Sequence, residues 1–211
     1  MLISQKNLKP GSDIVAKERL RQQIEFIVEI DKLKHVLRRN LVIDGSRREN
    51  DAEHSWHLAV MACLLQEYVE EPVDLTRVLK MVLLHDLVEI DAGDVFCYDD
   101  QAHIGKAARE AQAAERLYGL LPEDQAQEYL DIWREFEEHR TPEAKFAACL
   151  DRLQPILQNY HTQGGTWVEY KVPLAKVRKR LEPIKEASVE LGEFVEELIC
   201  DALAEGFLEE E

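Results

Sequence analysis

No two of the four cysteines in this chain, Cys63, Cys97, Cys149 and Cys200, stand at a Cys-x-x-Cys spacing. That argues against a zinc knuckle or a disulfide scaffold. Cys63, Cys149 and Cys200 fall in helical patterns and are expected to be small core residues. Positive charge is scarce as well: 26 basic residues face 42 acidic ones, for a formal net charge of -16. Such a surface has no broad electrostatic grip on nucleic acid or on an anionic membrane, so neither is expected as a partner. Long apolar runs are missing, and nothing approaches the roughly 20 residues of a membrane span. The opening MLISQKNLKPGSD lacks the apolar stretch of a secretory signal, which makes a cytoplasmic protein the expectation. Strand-like alternation and internal repeats are also lacking. The glycine pair Gly164–Gly165 has no phosphate-loop context and marks only a turn.

What is present is helical periodicity. The chain of 211 residues, 45% of them apolar, is long enough for one sizeable core. Residues 1–16 read as a polar lead-in broken at Pro10–Gly11. From Lys17 an amphipathic helix carries Leu20, Ile24, Ile27, Val28, Ile30 and Leu33. A loop dense in arginine follows (Arg38, Arg39, Arg47, Arg48), with a turn at Asp44–Gly45. Asp51 is expected to cap a helix whose buried face holds Trp56, Leu58, Met61, Ala62 and Leu65. Asp74 caps the next helix, Pro122 opens another, and Thr141–Pro142 opens the helix that runs to about Tyr160. The fold class expected is all-α, a single bundle of about six or seven helices. Its core spans residues 17–165, and a C-terminal helical extension, 166–211, packs on the same domain.

One stretch, Met81 to Asp94, does not fit a plain core helix. Apolar residues occupy nearly every face of it, yet it also carries His85, Asp86, Glu89, Asp91 and Asp94. Buried charge is costly unless it is paired or bound to a metal. His54 and Asp151 likewise lie in or beside apolar helical patterns. Two imidazoles and two carboxylates suit a first-row divalent metal better than calcium or a structural zinc. The blander alternatives are satisfied core histidines and a simple Asp151–Arg152 ion pair, and on pattern alone the two readings are evenly matched.

These residues carry a resemblance. His54 in AEHSWH, His85–Asp86 in LLHDLVE and Asp151 in CLDRL stand in the order and helical setting of the HD-domain metal-dependent phosphohydrolases. The segments RRENDAEHSWH and HDLVEIDAGD are similar to the branch that contains the bacterial 5'-deoxynucleotidases. The likeness covers roughly residues 20 to 160. It implies His54, His85, Asp86 and Asp151 as ligands of one divalent transition metal: Mn, Co, Fe, Zn or Ni. It implies Glu89 as the group that activates water and Asp94 as an acid beside the nucleophile and substrate. It makes Arg39 the phosphate-holding arginine; by residue type Arg38 and Arg47 are stand-ins for a bidentate clamp, and His57, on the helix face of His54, is expected beside the ligands. Asn40 stands where that branch has a tryptophan that rejects a ribose 2'-hydroxyl. The implied activity is release of phosphate from a small phosphomonoester, a (deoxy)nucleoside 5'-monophosphate first of all, and the implied assembly is a homodimer. A phosphodiesterase or other nucleotide hydrolase on the same site is the first alternative. A helical protein that binds a nucleotide or metal without turnover is the second.

Overall fold

The computed structural model describes residues 10–209 of the chain. It opens on α1 (Pro10–Ile30) and a short 3-10 turn, Asp31–His35. The expected lead-in is therefore corrected where it can be seen. Residues 10–16 are helical, with Pro10 at the first position, where a missing N–H costs nothing; residues 1–9 lie outside the described part. The apolar residues of α1 are less buried than their periodicity implies. Leu20, Ile24, Ile27 and Val28 are exposed, and Phe26 and Leu33 turn into the core.

The arginine-rich segment is a short ribbon, β1 (Leu37–Leu41) antiparallel to β2 (Arg48–Asn50). Its register pairs Leu37 with Asn50 and Leu41 with Arg48, which leaves a bulge on β1. Along β1 the side chains alternate, so Arg38 and Asn40 are turned inward while Leu37 and Arg39 are exposed. Next comes α2 (Asp51–Leu65). Its cap is Asn50, which accepts from the Glu53 N–H while Glu53 reaches back, a reciprocal capping box. Asp51, expected as the cap, is one residue inside the helix and fully buried. Trp56, expected in the core, is 64% exposed. Of the cysteines expected in the core, only Cys149 is buried; Cys63 and Cys200 are exposed, and all four are free.

Asp74 caps α3 (Leu75–Leu84) as expected, accepting from the N–H groups of Thr76 and Arg77. The helix does not continue to Ile90. It tightens into a 3-10 turn, His85–Val88, before the four-residue α4 (Glu89–Ala92). Tyr118, from α5 (Lys106–Tyr118), is buried beneath this break and donates its hydroxyl to the Leu84 carbonyl at 2.9 Å. That bond satisfies an acceptor at a helix end and fixes where the turn begins. Tyr118→Phe is expected to cost about 1 kcal/mol, seen as a fall of about 2–4 °C in the thermal midpoint. An unchanged midpoint would mean the bond contributes nothing to fixing the break.

Beyond it, α6 (Glu123–Glu138) and α7 (Pro142–His161) complete the core. The Thr141 hydroxyl accepts from the Ala144 N–H, with Pro142 in the first turn. Helix α7 is the hub. Phe146, Ala147, Cys149, Leu150, Leu153 and Ile156 are buried on it, and α2, α3 and α6 pack against it. The C-terminal region, expected as a helical extension, consists of four helices, α8 (Gly165–Glu169), α9 (Leu174–Lys179), α10 (Glu182–Ala187) and α11 (Val189–Ala204). Pro183 sits in the first turn of α10, where it starts a helix instead of bending one. Both α10 and α11 pack on α7. Among the described residues no helix is long and apolar enough to cross a membrane.

Candidate metal centre and active site

Helices α2 and α7 and the 3-10 turn after α3 bring His54, Asp151 and the His85–Asp86 doublet to one buried point. His54 Nε2 lies 3.0 Å from Asp151 Oδ1 and 3.8 Å from Asp86 Oδ2. His85 Nε2 lies 3.2 Å from Asp86 Oδ1 and 3.8 Å from Asp151 Oδ1. Both imidazoles are held from behind. His85 Nδ1 is 3.1 Å from the Val82 carbonyl, which can only accept, so Nδ1 carries a proton and Nε2 is the ring atom turned to the cluster. His54 Nδ1 is 3.1 Å from Gln154 Oε1, and the Gln154 amide donates onward to Glu49 at 2.7 Å. A carboxylate can only accept, so the amide orientation is settled and His54 too offers Nε2. His57 stands one step outside, 3.4 Å from the Gln154 amide nitrogen.

This donor set suits a divalent ion by its chemistry. His54, His85 and Asp86 each offer a ligand atom within 4.8 Å of the others, and Asp151 Oδ1 lies beside both histidine Nε2 atoms, at 3.0 and 3.8 Å. The His85 Nε2 atom is buried without a hydrogen-bond partner. The charges also call for a cation here. Burial disfavours the His85 imidazolium, but Asp86 and Asp151 outweigh it and push that pKa up to about 10. His54 goes the other way, lowered by burial and by the nearby Arg38 guanidinium. Burial would raise both aspartates. The His85 imidazole, with Arg38, instead holds Asp86 well below its usual range, and Arg152 with the two histidines does the same for Asp151.

Around this point lies a second ring of charge. Arg38 reaches in from β1, 2.9 Å from Asp86 and 3.3 Å from Asp51. Glu89, at the start of α4, is 5% exposed, and its Oε2 has no partner. It shares a carboxylate cluster with Asp51 and Asp86. Burial first, and then the Asp86 and Asp51 charges, push the Glu89 carboxyl well above the usual range. Asp51 rises to about 7 through burial and Asp86. Asp94 follows Gly93, whose φ of 76° turns the chain back toward the cluster. It lines a narrow cleft with Arg38, Arg39 and Asn40, and burial raises its pKa.

The three arginines singled out by sequence go to different places. Arg38 is inside the cluster. Arg39 is exposed at the cleft and also lines a larger cavity of about 470 Å³ with Phe96, Tyr98 and Tyr170. Arg47 is held on the surface by both oxygens of Glu53 at 2.8 Å, so it does not join them. Sequence reasoning passed over Asp51, Glu49 and Gln154. Asp51 was masked by its own helix-capping signal. Gln154 could have been found one turn after Asp151, on the same face of α7.

Several known proteins are similar to this chain. The 5'-deoxynucleotidase HDDC2 of Bos taurus is 32% identical over 139 residues, 65% of this chain and 66% of that protein. The corresponding human protein is 32% identical over the same length. The match thus spans about two thirds of those relatives. The crystal structure of a predicted metal-dependent phosphohydrolase from Magnetospirillum magnetotacticum is similar over 92% of this chain and 97% of that one, with 52% identity and a TM-score of 0.88. The HD domain family model matches residues 30–191, a span that holds every member of the buried cluster, and so this chain belongs to the HD domain family.

Proposed function

We propose that the chain is a metal-dependent phosphohydrolase that releases phosphate from a (deoxy)nucleoside 5'-monophosphate. The observation that carries this reading is the pair of imidazoles, each fixed at Nδ1, whose Nε2 atoms converge with Asp86 and Asp151. The names of the deoxynucleotidase relatives supply the substrate class. A divalent ion held by His54, His85, Asp86 and Asp151 would acidify a water and polarise a phosphoryl oxygen. Glu89 takes the proton of the attacking water on its unpartnered Oε2 as the new P–O bond forms. Asp94, its carboxyl raised by burial, returns a proton to the leaving 5'-oxygen as the old P–O bond breaks. Arg38 stays among the carboxylates and limits their mutual repulsion.

The test is release of inorganic phosphate from ribo- and deoxyribonucleoside 5'-monophosphates with Mn, Co, Fe, Zn or Ni added in turn. Both sugars belong in the panel because Asn40, and no indole, borders the cleft. Release from monoesters and not from bis(p-nitrophenyl) phosphate is expected. Cleavage of the diester alone would put the phosphodiesterase in its place, and no release with any metal would leave a binding protein.

The same reading includes a cytoplasmic homodimer. Four free cysteines suit a reducing compartment. Trp56, Val60 and Leu64 form an exposed apolar row on α2, and Ile24, Ile27 and Val28 do so on α1. Cell fractionation tests the compartment, and sedimentation at the mass of one 24.4 kDa chain would overturn the dimer.

A further inference from the structure

Arg180 lies at the end of α9, about 140 positions from β1 in sequence. The fold nevertheless sets it in the same cleft as Arg38, Arg39, Asp94 and Cys97. Two features set it apart. Among the described residues it forms no ion pair and no side-chain hydrogen bond, although the chain carries 42 acidic residues. It is also removed from most solvent, and its strongest charged neighbour is another guanidinium, that of Arg152. Burial and the Arg152 charge lower its pKa. Asp151, the carboxylate whose charge acts on it, is already taken by Arg152 and the two histidines. Arg39, across the cleft, likewise has no carboxylate partner among the described residues and is felt by Asp94.

A half-buried, unpaired guanidinium beside another is unfavourable unless an anion completes it. Planar guanidinium forks match phosphate oxygens in a bidentate way. On one side the cleft is walled by Arg38, which contacts Asp86 at 2.9 Å. On the other it shares Arg39 and Phe96 with the 470 Å³ cavity, where the Phe96 and Tyr170 rings lie 4.6 Å apart. A phosphate in the cleft would leave the rest of a nucleotide in the aromatic cavity.

We infer that Arg180 joins Arg39, the arginine that the family resemblance already makes phosphate-holding, as the second guanidinium of a seat for the phosphoryl oxygens of the substrate, so that the C-terminal helical region supplies part of the active site. This rests on the phosphomonoesterase reading for the identity of the anion, and on the cleft alone for its existence.

Two measurements separate those supports. The first is calorimetric binding of inorganic phosphate to the protein as purified, with metal content measured. The second is steady-state kinetics on deoxyadenosine 5'-monophosphate. For Arg180→Gln, phosphate affinity is expected to fall about 10- to 100-fold, the span for losing charge-assisted bonds. KM should rise by a similar factor, with kcat changed about threefold or less, as for a contact made equally in the ground and transition states. Arg180→Lys keeps the charge but not the fork, and should recover only part of the affinity. Arg178→Gln, exposed on the same helix, should change neither value and serves as the control. A thermal midpoint for each variant separates lost binding from lost folding.

If the wild type hydrolyses no monophosphate but binds phosphate through Arg180, the hydrolase reading fails and the seat stands. If it hydrolyses nucleotides and Arg180→Gln leaves both phosphate affinity and KM unchanged, the seat is overturned and the hydrolase stands. A fall in kcat alone, equal weakening in Arg178→Gln, or no phosphate binding by the wild type also overturns it.

Discussion

Asp86→Ala is expected to lose its metal and, with it, at least about 10³-fold in phosphate release. The figure follows from the several kcal/mol an ion contributes to transition-state charge, at about 1.4 kcal/mol per tenfold. Asp86 is the residue on which most of the site depends. Its two oxygens face different partners, Oδ1 toward His85 at 3.2 Å and Oδ2 toward His54 at 3.8 Å and Arg38 at 2.9 Å. Removing the side chain takes away an ion ligand, the main counter-charge of His85 and the nearest anchor of Arg38. The same change relieves repulsion of Asp51 and Glu89, so the loss is read in the ion-dependent part of the stability. A metal at about 100 times its Kd stabilises the wild type by about 2.7 kcal/mol, or about 5–10 °C in midpoint for a chain of this size. The variant should show little of that shift. Asp86→Asn, which keeps the shape, guards against a packing artefact. Elemental analysis and melting with and without the ion decide the matter. A variant that retains a full metal complement and the full shift would remove Asp86 from the ligand set.

The reason so much hangs on Asp86 also explains what could be read from the sequence. A histidine and an acid inside an apolar run stand out in one dimension, because each violates the pattern around it. Helix starts such as Asp74 and Thr141–Pro142 are equally legible, since a cap and the N–H it satisfies are two or three residues apart. The break of α3 at Leu84 was hidden by the same apolar run that drew attention to it. With apolar residues on every face there is no period whose loss could mark the 3-10 turn. The strand Leu37–Leu41 was hidden too: LRRNL has no alternation, and its pairing with Arg48–Asn50 is set across the turn. Trp56 and Ile27 show that an apolar residue at a helical spacing is not thereby buried. Arg180 could not be found at all from the sequence, because what singles it out is the company of Arg39 and Asp94 on distant elements.

Glu89→Gln is expected to leave the metal in place and to lower turnover about 10²- to 10⁴-fold, the span for losing a general acid–base group. The amide keeps the size of the side chain and its ability to accept a hydrogen bond, and removes only its capacity to take a proton. His54, His85, Asp86 and Asp151 are untouched, so metal content and the ion-dependent melting shift should match the wild type. The contrast with Asp86 rests on the 3-10 turn. Asp86 lies inside that turn beside His85, whereas Glu89 begins the next helical turn and leans toward Asp51. Its buried Oε2 has no protein partner, which leaves a lone pair for a water. Burial and two neighbouring carboxylates raise its proton affinity, and a nearby cation would draw that back toward the range useful to a base near neutral pH. The competing role is also visible in the geometry, because Glu89, Asp51 and Asp86 offer oxygens within 4.8 Å of one another. If Glu89→Gln loses its metal, Glu89 is a ligand and the base lies elsewhere. If it keeps both metal and near-full turnover, Glu89 is neither, and Asp94→Asn becomes the variant that must abolish the reaction.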